Sequence, residues 1–249
     1  MPEFKRALII GASSGIGKAL AENLLKNGSS VAMISRRREP MDELAKSASS
    51  AMLPGKAFIY PHDVTDYDKT AALFQEITRD LGGLDLVVYN SGVMPAIEEN
   101  EYNFAKDREM IEVNVTAAFA WLNEAAKRFQ QTKSGTVVGI SSVAGDRGRR
   151  GNPAYCTTKA ALTTYLESLR NRLSQFGVKV VTIKPGFIDT DMTRGKPGIF
   201  WLISADDAAK RILHAARKGK STVYVPGRWR IVSIILRSIP SFIFKRLPV

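Results

Sequence analysis

Apolar and polar positions along the chain follow two rhythms. Short, nearly unbroken apolar runs, such as Ala7-Leu8-Ile9-Ile10 and Leu86-Val87-Val88, have the character of strands buried on both faces. Runs of this kind predict strands over 6–10, 30–35, 57–61, 84–90, 136–141, 179–184 and 222–225. Between them apolar residues recur at helical spacing. They predict helices over about 15–27, 41–50, 67–81, 102–131, 154–176 and 205–218. Strands alternating with helices give a doubly wound α/β domain with helices on both faces of a parallel sheet. Ser204 followed by Asp207 reads as a capping box that starts the last of these helices. Residues 187–203, rich in Gly and aromatics, are long enough to be a lid. The catalytic domain is expected over 1–227, with a C-terminal extension over 228–249.

The first strand runs into Gly11-Ala12-Ser13-Ser14-Gly15-Ile16-Gly17, and a helix follows. Glycines let the backbone turn tightly and approach a pyrophosphate, and the helix start offers free N–H groups. In this strand–turn–helix setting the segment from Gly11 to Gly17 is expected to bind a dinucleotide. Sites for NAD commonly place a carboxylate at the end of the second strand. Here that end reads Ser35-Arg36-Arg37-Arg38. A hydroxyl donor and a guanidinium suit a 2′-phosphate, so Ser35 and Arg36 point to NADP(H). At least one of Arg37 and Arg38 is read as a solvated charge. Asp63 and Val64 follow the third strand, where Asp63 can accept from the adenine amine. Asn90 and Gly92 follow the fourth, where Gly92 admits close backbone approach.

Tyr155 and Lys159 lie four apart at the start of a helix and share a face. A phenol with pKa near ~10 is a poor base at neutral pH, and a neighbouring ammonium is expected to lower it. So tuned, Tyr155 can exchange a proton with an alcohol or carbonyl oxygen. Ser142, at the end of the fifth strand, can hold that oxygen. Asn114 can order a water that relays protons to Lys159. No metal site is expected.

Gly11-x-x-x-Gly15-x-Gly17, Asp63, Asn90-x-Gly92, Asn114, Ser142, Tyr155-x-x-x-Lys159 and Pro185-Gly186-x-x-x-Thr190 together resemble the short-chain dehydrogenase/reductase family over nearly the whole chain. The resemblance implies a single Rossmann-type domain with a seven-stranded parallel sheet. It also implies an Asn114–Ser142–Tyr155–Lys159 tetrad and reversible hydride transfer between a nicotinamide and a carbonyl. Pro185, Gly186, Ile188 and Thr190 would line the nicotinamide end, with Ile188 and Thr190 at its carboxamide and Lys159 on its ribose. Homo-oligomers are usual in the family. Two positions depart from its pattern: Ile10 stands where Thr is frequent, and Tyr89-Asn90-Ser91-Gly92 replaces Asn-Asn-Ala-Gly.

Charge changes this picture at the C-terminus. The net charge is +12, and after Asp207 there are ten Lys or Arg and no acidic residue. An anionic partner is expected. No recognition motif favours nucleic acid, whereas the apolar residues interleaved after Arg228 suit a lipid surface. The competing reading folds this tail onto the body or a partner subunit. No run is long enough to span a bilayer, the start does not read as a signal peptide, and the single cysteine, Cys156, fits the cytoplasm. Arg147, Arg149 and Arg150, next to the expected site, are read either as anion ligands for a substrate or as solvated charges. Ile199-Phe200-Trp201-Leu202-Ile203 is read either as a cover over the site or as the lid's own core.

Ala144–Arg149 and Arg237-x-Ile239-Pro240-x-x-Ile243-Phe244-Lys245-Arg246-Leu247-Pro248 also resemble the decaprenylphosphoryl-ribose keto-sugar reductase branch of the family. That resemblance implies a keto sugar on a polyprenyl phosphate as substrate, met at the membrane face. Two other readings stand beside it. One is a soluble ketoreductase for small carbonyls whose tail serves oligomerisation. The other is an inactive NADP(H)-binding regulator, which the intact Tyr155–Lys159 pair disfavours.

Overall fold

The computed structural model describes residues 3–98, 100–195 and 198–247. Lys196 and Pro197 of the expected lid, and Pro248 of the tail motif, lie outside the described residues. Seven strands form one parallel sheet: β1 (Arg6–Ile10), β2 (Ser30–Ser35), β3 (Lys56–Pro61), β4 (Leu86–Tyr89), β5 (Thr136–Ile140), β6 (Lys179–Pro185) and β9 (Thr222–Val225). Their order is β3-β2-β1-β4-β5-β6-β9. The chain reverses its winding direction between β1 and β4, so a crevice opens at their carboxyl ends.

Burial on both faces explains the unbroken apolar runs. Ala7 and Ile9 face one core with Leu20 and Leu24 of α1 (Gly15–Lys26) and Ile212 of α7 (Ala205–Lys218). Leu8 and Ile10 face the other, with Ile77 of α3 (Tyr67–Asp80), Trp121 and Phe129 of α5 (Ala117–Thr132) and Leu166 of α6 (Pro153–Leu173). The remaining body helices are α2 (Glu39–Ser50) and α4 (Phe104–Ile111).

Two local features differ from the sequence pattern. The single helix expected over 102–131 is α4, then a π-helical turn at Glu112–Thr116, then α5. The wider turn shifts register within a continuous helix, which apolar spacing does not reveal, and Asn114 sits in it. At the start of α7, Ser204 Oγ accepts from the Asp207 N–H at 3.1 Å. The Asp207 carboxylate turns to Arg211, one turn on, at 3.0 Å. Only the serine half of the box is built.

The C-terminal extension folds onto the body as α8 (Trp229–Ser238) and α9 (Ser241–Phe244). A two-strand ladder, β7 (Ile188–Asp189) with β8 (Ile203–Ser204), closes the base of the lid. Trp229 is 3 % exposed, and its indole lies across Gly186, where any Cβ would collide with it. Its ring centroid is 5.4 Å from Phe187, 5.2 Å from Phe200 and 5.8 Å from Trp201. Lid and tail thus share one aromatic cluster. The lid's aromatics are therefore packed on the tail. Replacing Trp229 by Ala should cost about 3–5 kcal/mol, as for other buried aromatics. Urea denaturation measures this, and a loss below about 1 kcal/mol would mean the tail is only loosely attached.

Candidate active site

A cavity of about 420 Å³ occupies the crevice at the strand ends. Its wall takes Gly11, Ser13, Ser14, Gly15 and Ile16 after β1, Ser35 and Arg36 after β2, Asp63 and Val64 after β3, and Asn90 and Gly92 after β4. Ser142, Tyr155, Lys159, Pro185, Gly186, Ile188 and Thr190 complete the expected set.

Two expected residues are elsewhere. Gly17 lies behind the turn, where a Cβ would collide with the Gly11 carbonyl; its absent side chain lets α1 pack on β1. Asn114 is fully buried beside the cavity. Its Oδ1 accepts from the Val93 N–H at 2.8 Å, and its Nδ2 donates to the Val93 carbonyl at 3.0 Å and to Thr158 Oγ1 at 3.1 Å. It meets Lys159 across Gly92, whose Cβ would stand 3.3 Å from both Asn114 Oδ1 and Lys159 Nζ.

The glycine turn is built by conformation. Gly11 has φ +92° and Gly15 φ +52°, values that L side chains rarely adopt. A Cβ on Gly11 would stand 2.7 Å from the Ser91 nitrogen. Asn90 Nδ2 donates to the Gly11 carbonyl at 2.8 Å and pins the turn. No side chain caps the start of α1, and its first turn carries no acid. Its first N–H groups therefore face the cavity with the positive end of the helix dipole.

At the end of β2, Arg36 stands 3.9 Å from Asp63, and Arg37 donates to Ser13 Oγ at 3.2 Å. Arg38 turns away to Asp42 at 3.1 Å. It is the expected solvated charge, whereas Arg37 lines the cavity. His62, Ser91, Val93, Val113, Ile140, Ser141, Asp191, Met192 and Thr193 line it too, beyond the expected set. Most adjoin expected residues at strand ends. Val113 reaches the cavity from the π turn, and nothing in the sequence marks it.

Asn152 caps α6, its Oδ1 accepting from the Tyr155 N–H at 2.9 Å, which fixes Tyr155 and Lys159 on the helix's first inward face. Tyr155 and Lys159 are 9 % and 4 % exposed. Burial pushes the phenol up to about 12, and the hydrogen bond from Ser142 acts against it. Burial pulls Lys159 down to about 8. Lys159 Nζ donates to the Ile140 carbonyl at 3.0 Å and lies 5.6 Å from the Tyr155 ring centre. The expected lowering of the phenol by the ammonium is thus not what the structure gives: burial dominates, and Ser142 is the group that acts against it.

The arginine loop and the lid also depart from expectation. Arg147 donates to the Leu236 carbonyl and, at 2.5 Å, to the Ile239 carbonyl. Its guanidinium lies 3.8 Å over the Phe244 ring. It caps the end of α8 and does not line the cavity. Arg149 bonds the Val143 carbonyl at 3.5 Å. Phe200, Trp201 and Leu202 do not line the cavity; they are half-exposed on the aromatic cluster. Beside the arginines, Asp146 forms a buried ion pair with Lys184. The same carboxylate accepts from Tyr224 at 3.1 Å and Ser233 of α8 at 2.6 Å.

A family model described as short chain dehydrogenase matches residues 5–197, and the chain belongs to that family. An uncharacterized oxidoreductase of Myxococcus xanthus is 33 % identical over 243 residues, covering 97 % of this chain and 95 % of the relative. Among solved structures, ElxO with NADP bound has a TM-score of 0.78 at 25 % identity, covering 91 % of this chain and 99 % of that one. A variant of ElxO with NADPH bound has a TM-score of 0.79 at 25 % identity, covering 89 % and 97 %.

The Lys159 shift carries a stability signature. Below about 8 the lysine is charged whether folded or unfolded, and its burial penalty is complete. Between there and the ordinary lysine value of 10.5 only the unfolded chain keeps the proton, so stability gains with rising pH. Lys159→Met should therefore be more stable than the parent at neutral pH, with the gap closing in alkali. Denaturation of both proteins across this range tests it; a gap independent of pH would refute the shift.

Proposed function

We propose that this chain is an NADP(H)-dependent reductase that transfers a hydride to a carbonyl, reversibly, with Asn114, Ser142, Tyr155 and Lys159 as its catalytic group. The observation that carries this is that Ser142, Tyr155 and Lys159 line the same cavity as the glycine turn. The cavity fits the cofactor. The turn and the start of α1 suit a pyrophosphate, and Arg36 and Arg37 flank the β2 end as a 2′-phosphate requires. When bound, NADPH supplies the hydride.

Ser142 and Tyr155 hold the substrate oxygen by hydrogen bonds. As the carbonyl carbon becomes tetrahedral, Tyr155 gives its phenolic proton to that oxygen, and the product is an alcohol. The phenolate left behind is held by Ser142 and by the positive charge of Lys159. Lys159, flanked by Asn114 across Gly92, returns the proton. In the oxidative direction the same groups run in reverse.

The substrate is read as a hydrophobic carbonyl compound, in its finer form a keto sugar on a polyprenyl phosphate. Val93, Val113, Ile140 and Met192 in the wall support an apolar substrate. The finer form rests on the sequence resemblance. Such a substrate resides at a membrane, which fits the cationic tail.

The test is NADPH oxidation with ketones of increasing chain length. kcat/KM should rise with length and exceed that with NADH, and Arg37→Asp should narrow the cofactor preference. Tyr155→Phe should still bind NADPH while losing at least about a hundredfold in turnover. The parent's turnover should fall as pH rises through about 8, where Lys159 gives up its proton. Near-parental turnover by Tyr155→Phe would overturn the assignment.

A further inference from the structure

We propose that the outward face of α8 and α9 docks on an anionic lipid bilayer. Helix α8 has two unlike sides. Trp229 and Ser233, one turn apart, are buried against the body. On the opposite side Ile231, Ile234 and Ile235 are 64 %, 56 % and 57 % exposed. This i, i+3, i+4 spacing forms one stripe. Phe242 and Ile243 of α9, a few residues on, are exposed as well, at 63 % and 43 %. A soluble surface seldom leaves so many large apolar groups contiguous and uncovered.

Cations rim the stripe. Arg228, Arg230, Arg237, Lys245 and Arg246 are all exposed. Arg147, Arg150 and Lys245 line a groove beside Ser241 at the edge of α9. No acidic residue follows Asp207 in the sequence. An apolar stripe bordered by lysine and arginine is the pattern of a helix lying in the interfacial plane of a membrane. The aliphatic groups enter the acyl boundary while the cations meet lipid phosphates.

This charge decides the occupant. A second copy docking by two-fold symmetry would press two equally cationic surfaces together, and like charges repel. An anionic bilayer offers the complementary sign. The patch is also joined to the lid. Arg228 lies 4.9 Å over the Trp201 ring and donates to the Trp201 carbonyl at 3.2 Å. That contact joins the tail to the half-exposed Phe200, Trp201 and Leu202 of the lid. A docked protein would therefore present its lid to the lipid. That purpose rests on the reading of the substrate as membrane-borne; the docking itself does not.

The experiment is co-sedimentation of the full chain with phosphatidylcholine vesicles and with vesicles that also contain phosphatidylglycerol. The protein should pellet with the anionic vesicles and stay in solution with the neutral ones. Added salt should weaken binding without abolishing it, because screening removes the charge contribution but not apolar burial. Ile231→Gln/Ile234→Gln/Ile235→Gln and, separately, Arg230→Gln/Arg237→Gln should each lower partitioning at least about tenfold. Both variants change exposed residues, so NADPH binding and unfolding midpoint should stay parental, which separates this test from that of the reductase reading. The proposal is overturned if the parent stays in solution with anionic vesicles. It is equally overturned if sedimentation velocity shows a dimer that the isoleucine variant converts to monomer.

Discussion

The buried ion pair between Asp146 and Lys184 is the constraint on which the site's far wall depends. Both side chains are nearly inaccessible, at 3 % and 7 % exposure. Charges so placed are stable only when their remaining hydrogen-bonding capacity is met. Asp146 meets it with Tyr224 at the end of β9 and Ser233 of α8. Four segments are thereby brought to one carboxylate: the turn after Ser142, the end of β6, β9 and the tail. Lys184 immediately precedes Pro185 and Gly186 of the cavity wall, and Asp146 closes the short helical turn that begins after Ser142. The pair therefore ties the strand end carrying Ser142 to the wall opposite it.

The tail follows from the same anchor. Ser233 on Asp146, Trp229 on Gly186 and Arg147 on the end of α8 are three contacts of different kinds between the extension and the catalytic loops. Docking one side of α8 in this way leaves the other side outward. An apolar stripe facing away from the body is thus a consequence of how firmly the inner side is held. The extension is part of the site's framework on one face and available to a partner on the other.

Most of this fold was legible in the sequence, because strands buried on both faces announce themselves as apolar runs and glycine turns as fixed spacings. The seven strands lie where those runs lie, and Gly11, Gly15, Ser142, Tyr155 and Lys159 converge as their motifs imply. What the sequence did not reveal depends on contacts between distant segments. The π turn at Asn114 needs only a local change of register. Arg37 and Arg38 are adjacent and chemically identical, and only the path of the backbone sends one to Ser13 and the other to Asp42. Arg147 reads as a ligand for an anion, yet its partners are carbonyls about ninety residues away. The phenol's environment is hidden for a related reason: spacing places Lys159 near Tyr155 but does not report how deeply both are buried.

Hydrogen exchange on Asp146→Asn tests the central claim, that one carboxylate holds the active-site loops and the tail as a unit. The account predicts that amides in 143–147, in 184–186 and in α8 lose protection together, while β1, β2 and β3 exchange as in the parent. Faster exchange in α8 alone, with the loop after Ser142 and the end of β6 unchanged, would contradict it.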